Sequence, residues 1–234
     1  MASAAGIYVG QSENILVNNS TAEFNVAGID IENSYYADVF NNYALTKTGG
    51  IFFFDLPDIP QQGGHHIRVF NNKSVNNNTD NFAPEGNIVG EVPRGSGILI
   101  QANSHVEIFN NDIGDNDTIN IAVVTYGYDT EDKNYYPHPR SIQIHGNRFG
   151  RSGYNPDLET GELAKILFEL SDGNMPDIFW DGILPLPQII FGQPKEDKII
   201  LGDNGDASCL TINALKYILP FFYPLETSYK TFSG

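Results

Sequence analysis

The chain has 234 residues, enough for one large domain or two small ones. Its 13 Lys and Arg against 29 Asp and Glu leave a formal net charge of −16, which argues against general binding of nucleic acid or anionic membranes. A 41% apolar content argues against wholesale disorder, and the single cysteine, Cys209, excludes an intramolecular disulfide framework or a multi-cysteine metal cluster.

In chain order, the first elements are short strands that recur. Gly6-Ile-Tyr-Val returns as Gly28-Ile-Asp-Ile and Gly50-Ile-Phe-Phe at steps of 22 residues, then as Gly97-Ile-Leu-Ile and, degenerate, Asn120-Ile-Ala-Val. A second strand follows each copy and ends in an Asn pair or its equivalent, at Asn18-Asn19-Ser20, Asn41-Asn42, Asn71-Asn72, Asn110-Asn111 and Gly146-Asn147. Apolar residues alternate within each block, the period-2 mark of a strand with one buried face. Gly and Asn interrupt every unit, so the repeat is not helical. The expected fold is all-β: a right-handed parallel β-helix of three-strand coils over residues 1–151, with an approximately 22-residue repeat. Inward ladders are expected at Ile7, Ile29, Ile51, Ile98 and Ile121, and at Val17, Val39, Val69, Ile108 and Ile144. The second-Asn column (Ser20, Asn42, Asn72, Asn111, Asn147) is assigned the sharp bend, because Asn tolerates left-handed backbone; its amides are also placed to bond to one another.

Departures from the repeat locate loops: eight residues inserted near 56–64, 17 within 76–95 and 13 near 127–139. The first and third leave the same turn of the coil and flank the fourth coil, so two walls and a floor are expected to form a groove. From about residue 152 the repeat stops. Residues 157–170 read as an amphipathic helix with Leu163, Ile166, Leu167 and Leu170 as its stripe, and Lys198-Ile-Ile-Leu as a final strand. Residues 152–234, including Leu219-Pro-Phe-Phe-Tyr, are read as a mixed helical and irregular C-terminal cap and lateral cover. The first coil carries no cap of its own, so earlier coils or end-to-end self-association are expected there. The opening residues lack the basic and apolar regions of a signal peptide, and no apolar run is long enough to span a membrane.

Three outward columns follow from the alternation: Asn14, Tyr36, His66, His105 and Ser141; Leu16, Asp38, Arg68, Glu107 and Gln143; and Asn18, Phe40, Phe70, Phe109 and His145. Neighbours in a column stand about 4.8 Å apart, which sets His66 beside His105 with Tyr36 one coil below. His65, Tyr135, Tyr136, His138 and Arg140 enter from the flanking loops. Paired imidazoles near Arg and Tyr suit acid–base chemistry on an acidic sugar. On that reading His66 and His105 are the acid–base pair, Arg68 and Arg140 neutralise a uronate carboxylate, and Tyr36 is an accessory acid. His65, Glu107, Tyr135, Tyr136, His138 and Phe70 contact substrate. All five arginines lie between residues 68 and 151, which allows a local cationic patch. The competing reading is that stacked rings fill ladder positions and stabilise the sheet, with the Phe column covered by the C-terminal segment. No cofactor is required; a divalent cation on His66, His105 and Glu107 is a weaker alternative. Asp112–Asp117 resembles a calcium loop in composition alone, and Cys209 reads as an inert buried thiol.

The stretch AGIYVGQSENILVNNSTAEFNVAGIDIENSYYADVFNN, with GGIFFFDLP, QQGGHHIRVFNN, IHGNRFGRSG and PDIFWDG, resembles a family of bacterial exported parallel β-helix repeat proteins in the pectate-lyase-like superfamily. The resemblance implies a periplasmic, cell-surface or secreted location and additional N-terminal coils. It implies no established reaction. The expected function is therefore lyase or C5-epimerase chemistry on an acidic polysaccharide, with a non-catalytic scaffold or glycan-binding module as the alternative.

Overall fold

The computed structural model describes residues 2–84, 86–212 and 228–231. The chain visits three strand positions in rotation. The first coil contains β1 (Ala2–Gly10), β2 (Glu13–Asn18) and β3 (Thr21–Glu23), and the second β4 (Asn25–Glu32), β5 (Tyr35–Phe40) and β6 (Tyr43–Leu45). The third contains β7 (Gly49–Phe54), β8 (His65–Phe70) and β9 (Lys73–Val75), and the fourth β10 (Ser96–Gln101), β11 (Ser104–Phe109) and β12 (Asp112–Gly114). The fifth contains β13 (Ile119–Val124), β14 (Arg140–His145) and β15 (Arg148–Phe149). After it come α1 (Glu162–Leu170), β16 (Ile178–Trp180), α2 (Leu186–Phe191), β17 (Ile199–Leu201), β18 (Ser208–Thr211) and β19 (Ser228–Thr231).

These strands form three sheets: sheet A, β1-β4-β7-β10-β13-β16-β18-β19; sheet B, β2-β5-β8-β11-β14-β17; and sheet C, β3-β6-β9-β12-β15. Every pairing is parallel except β18 with β19. The protein is all-β, an arrangement consistent with a parallel β-helix. The register matches the repeat, since Ile7, Ile29, Ile51, Ile98 and Ile121 are consecutive partners in sheet A. Val17, Val39, Val69, Ile108 and Ile144 are partners in sheet B. Both ladders point into one apolar core between the sheets. β1, β2 and β3 are the edges at one end of the stack.

Asparagine turns the corners: the second-Asn column bonds amide to amide as expected, but the left-handed bend falls one residue earlier than expected. The left-handed residue is the first of each pair: Asn19, Asn41, Asn71, Asn110 and Gly146 have φ between 51° and 62°. The second Asn points inward, where its amide must serve backbone groups that the turn leaves unpaired. Asn42 Nδ2 donates to Asn72 Oδ1 (3.0 Å), Asn72 to Asn111 (3.0 Å), Asn111 to Asn147 (2.9 Å) and Asn147 to Asn204 (3.1 Å). The same amides donate to the carbonyls of Val17, Val39, Val69 and Ile108.

The strand pattern outlasts residue 151. β16 pairs with β13, β17 with β14 and β18 with β16, so the C-terminal segment continues sheets A and B through irregular connections. β17 is the strand expected at Lys198–Leu201, while Leu219–Tyr223 lie outside the described residues. The expected helix begins at Glu162 rather than Asp157. The Asp157 carboxylate accepts from the Thr160 amide (3.1 Å) and hydroxyl (2.8 Å), holding a turn before the helix.

Sheet A is buried on its outer face as well. Phe52, Phe54, Leu99, Ala122 and Phe179 form a second apolar cluster with Val89 and Val92 of the second insertion, Leu167 of α1 and neighbouring residues. The insertion and α1 are thus lateral cover for sheet A, and the outer face of sheet B carries the open groove.

Candidate functional site

The second residue of β2, β5, β8, β11 and β14 in sheet B adopts the left-handed conformation: Asn14, Tyr36, His66, His105 and Ser141 have φ between 53° and 56°. Each is skipped by the ladder, in which Tyr35 pairs with His65 and Ala37 with Ile67. Each is therefore a kink shared by neighbouring strands, and the kinks stack coil on coil with the register unchanged. Asn accepts this backbone readily and His more readily than most residues, whereas a bulky Tyr there costs of order 1 kcal/mol. Three consecutive coils nevertheless carry rings at this position.

The His66 and His105 rings are parallel, with centroids 4.7 Å apart and an interplanar angle of 1°. Tyr36 lies 5.1 Å from His66, tilted by 36°. His65 meets Tyr35 at 4.3 Å and His66 edge-on at 4.9 Å, and its Nδ1 is 2.6 Å from the Gly63 carbonyl. Burial, then the neighbouring His105 and His65, push His66 below the ordinary imidazole range, so it is neutral at neutral pH. Along the next column Phe40, Phe70, Phe109 and His145 stack at 4.9, 5.0 and 5.5 Å, within 10° of parallel. The Phe faces are turned to one another, half-buried, and are not presented outward as platforms.

Along the ring row and the adjacent column of Leu16, Asp38, Arg68, Glu107 and Gln143 runs a groove of about 860 Å³, lined also by Asn14, Tyr36, His66 and His105. Asp38 and Gln143 carry functional potential that the sequence reading left unassigned, although both stand in the column that holds Arg68 and Glu107.

The charged candidates are already engaged. Arg68 Nε and Nη2 donate to both Asp38 carboxylate oxygens at 2.8 and 2.6 Å, which raises the guanidinium pKa further. Glu107 Oε1 lies 3.0 Å from His145 Nε2. Arg140 sits over the Tyr136 ring (4.4 Å) and 3.9 Å from Asp197. Arg94 lies 3.6 Å from Asp80, Arg148 2.7 Å from Asp112 and Arg151 2.8 Å from Asp115. All five arginines thus face a carboxylate, so the expected cationic patch is neutralised, and Asp112 and Asp115 serve as ion-pair partners.

The remaining candidates divide by location. Tyr36, His66, His105, Arg68, Glu107 and Phe70 share the outer face of sheet B, with His65 at its border. Tyr135 is buried, and its hydroxyl donates to the Asp55 carbonyl. Tyr136 meets His138 edge-on at 5.5 Å and accepts from Gln188 (3.4 Å); burial holds His138 below its ordinary pKa. The groove expected between the first and third insertions is bridged. Gln62 donates to Asp132 (2.6 Å) and Thr130 to Asp58 (3.1 Å), joining the loops across the fourth coil. The coils they leave from are only two rungs apart, a gap that loops of this length span. Among the described residues, no three His, Cys, Asp or Glu side chains gather to hold a metal ion; Glu107 turns to His145 rather than to the histidine pair.

Fold and site together define an all-β protein of three parallel sheets, with a ring-edged groove on one outer face. No family, no curated protein and no solved structure matches the chain. No helix among the described residues is long and apolar enough to cross a membrane.

Proposed function

We propose that the chain is a glycan-binding, right-handed parallel β-helix of the exported kind, and that the outer face of sheet B holds a neutral polysaccharide along the stack. The right-handed sense follows from the strong preference of parallel crossover connections. The observation that carries the reading is the row of three rings kept in left-handed backbone at Tyr36, His66 and His105, where Asn14 marks the relaxed choice. The neutral His66 imidazole edge both donates and accepts hydrogen bonds, as sugar hydroxyls require. Tyr36 is 52% exposed and supplies an apolar ring for a sugar face. Asn14 and Gln143 add neutral polar groups. The groove's carboxylates, Asp38, Glu107 and Glu196, outnumber its one cation, Arg68, which favours a neutral chain over a polyuronate.

Affinity electrophoresis through gels holding neutral or uronate polymers tests the reading. Retardation by a neutral polymer, lost in His66→Ala/His105→Ala, supports it; retardation by polyuronate alone opposes it. The lyase or epimerase reading rests on one observation, the depressed pKa of His66 next to His105, which suits a base. New unsaturated ends from a polyuronate, abolished in the same variant, would favour that reading instead. The edges of β1, β2 and β3 are where further coils or a second copy would add.

A further inference from the structure

The second insertion, the third insertion and α1 meet over the outer face of sheet A and border a pocket of about 390 Å³. Its floor is Phe54, Leu99, Val124 and Phe179 from four successive sheet positions. Leu163 and Ile166 of α1 form one wall, and the second and third insertions supply the others. We propose that this pocket binds a small organic ammonium ion with an apolar body, its charge placed against Asp181 and its hydrocarbon on the sheet.

Chemistry selects the class. Among the described residues, the ionisable side chains lining the pocket are Glu91, Glu162, Asp181 and the Tyr128 phenol, with no Lys, Arg or His. Glu162 is paired with Lys165 at 2.8 Å, and Glu91 accepts from Tyr128 (3.3 Å). Asp181 is 7% exposed and takes part in no ion pair among the described residues. Its oxygens accept from the backbone amides of Thr125 (2.6 Å) and Ile183 (3.1 Å). Burial also pushes this carboxyl up to about 6, the mark of a desolvated charge without a counterion. Gln101, 9% exposed, lines the same pocket, and its carbonyl oxygen has no hydrogen-bond partner. An anion is repelled here. A neutral apolar ligand leaves Asp181 and Gln101 as they are, whereas an ammonium ion supplies both a charge and donors.

The test uses the full chain with three isosteric probes, 4-phenylbutylammonium, 4-phenylbutanol and 4-phenylbutyrate, followed at the Thr125 and Ile183 amides by ¹H–¹⁵N NMR. The expected result is saturable binding of the ammonium, with the alcohol weaker by about tenfold or more and the carboxylate not bound. Asp181→Asn should weaken the ammonium roughly thirtyfold, and Ile166→Trp, at a 49% exposed position on the wall, should block it. If Asp181→Asn does not fold, Ile166→Trp and the alcohol comparison decide. Equal affinity for ammonium and alcohol, no saturable shift, or ammonium binding unchanged in Ile166→Trp would overturn the proposal.

Discussion

The imidazoles of His66 and His105, 39 positions apart in sequence, lie parallel with centroids 4.7 Å apart on consecutive coils, each from a residue in left-handed backbone. The arrangement carries a small backbone cost and brings only a modest ring contact in return. Asn at both positions suits the left-handed backbone at least as well. His66→Asn/His105→Asn should match the parent in urea unfolding or exceed it by up to about 1 kcal/mol, while glycan binding is lost. A loss of stability above about 1 kcal/mol would make the rings structural.

The buried amide ladder makes the opposite prediction for neighbouring residues of one turn. Asn111→Leu strips the acceptor from the Asn72 amide groups and the donor from Asn147 Oδ1 and the Val69 carbonyl. It should cost at least about 3 kcal/mol in chemical denaturation. Asn110→Gly, at the outward left-handed position, should be within about 0.5 kcal/mol of the parent. Equal effects would mean that the ladder does not hold the corner.

Acid should stabilise this protein. Asp55 is buried under the first insertion, and burial raises its carboxyl from the ordinary 3.8 to about 6, against the lowering effect of hydrogen bonds from Gly64 and Gly63. The folded state holds the proton more tightly than the unfolded one. The contribution is fully present below about pH 4 and is lost as pH rises through 6, an effect of about 1–3 kcal/mol. Asp55→Asn retains an oxygen to accept from Asn33 and Gly64. It should raise stability at pH 7 and flatten the dependence between pH 4 and 6 in thermal melts. An unchanged slope would assign the dependence to other groups, Asp181 first.

Lys47 interrupts a second inward column, in which Asn77 donates to Asn116 (3.3 Å). Its ammonium instead reaches back to the Ala22 carbonyl, and Asn77 Oδ1 has no hydrogen-bond partner. Burial lowers the Lys47 pKa to about 8, so the unfolded chain binds the proton more tightly. Stability should therefore rise as pH climbs from 8 towards 10, by about 1–3 kcal/mol. Lys47→Met should lack that rise. A parallel rise in both proteins would exclude Lys47 as its source.

How much was legible in the sequence depended on whether a contact repeats. The Ile and Val ladders, the stacked histidines and the Phe column all follow from one register, because parallel pairing fixes neighbours coil by coil. Asp38 and Arg68 stood adjacent in a written column, so their ion pair was available to the same reasoning. The left-handed position within Asn-Asn was not, since either residue tolerates the bend; the bonding of the second-Asn amides was. β17 was legible as a strand, but its place in sheet B and the continuation of sheet A by β16 and β18 were hidden, because the connections share no length with the earlier coils. The pocket at Asp181 was hidden for the same reason: it is assembled from insertions, whose landing place carries no period.

The most direct test is a titration of the intact protein and of His66→Ala/His105→Ala with a neutral polysaccharide and a polyuronate of equal length, followed by calorimetry at low and moderate salt. The groove described here predicts that the parent binds the neutral chain with little salt dependence, that the polyuronate is rejected, and that the folded double variant binds neither. Tight, salt-sensitive binding of the polyuronate by the parent, or unaltered binding of the neutral chain by the variant, would contradict it.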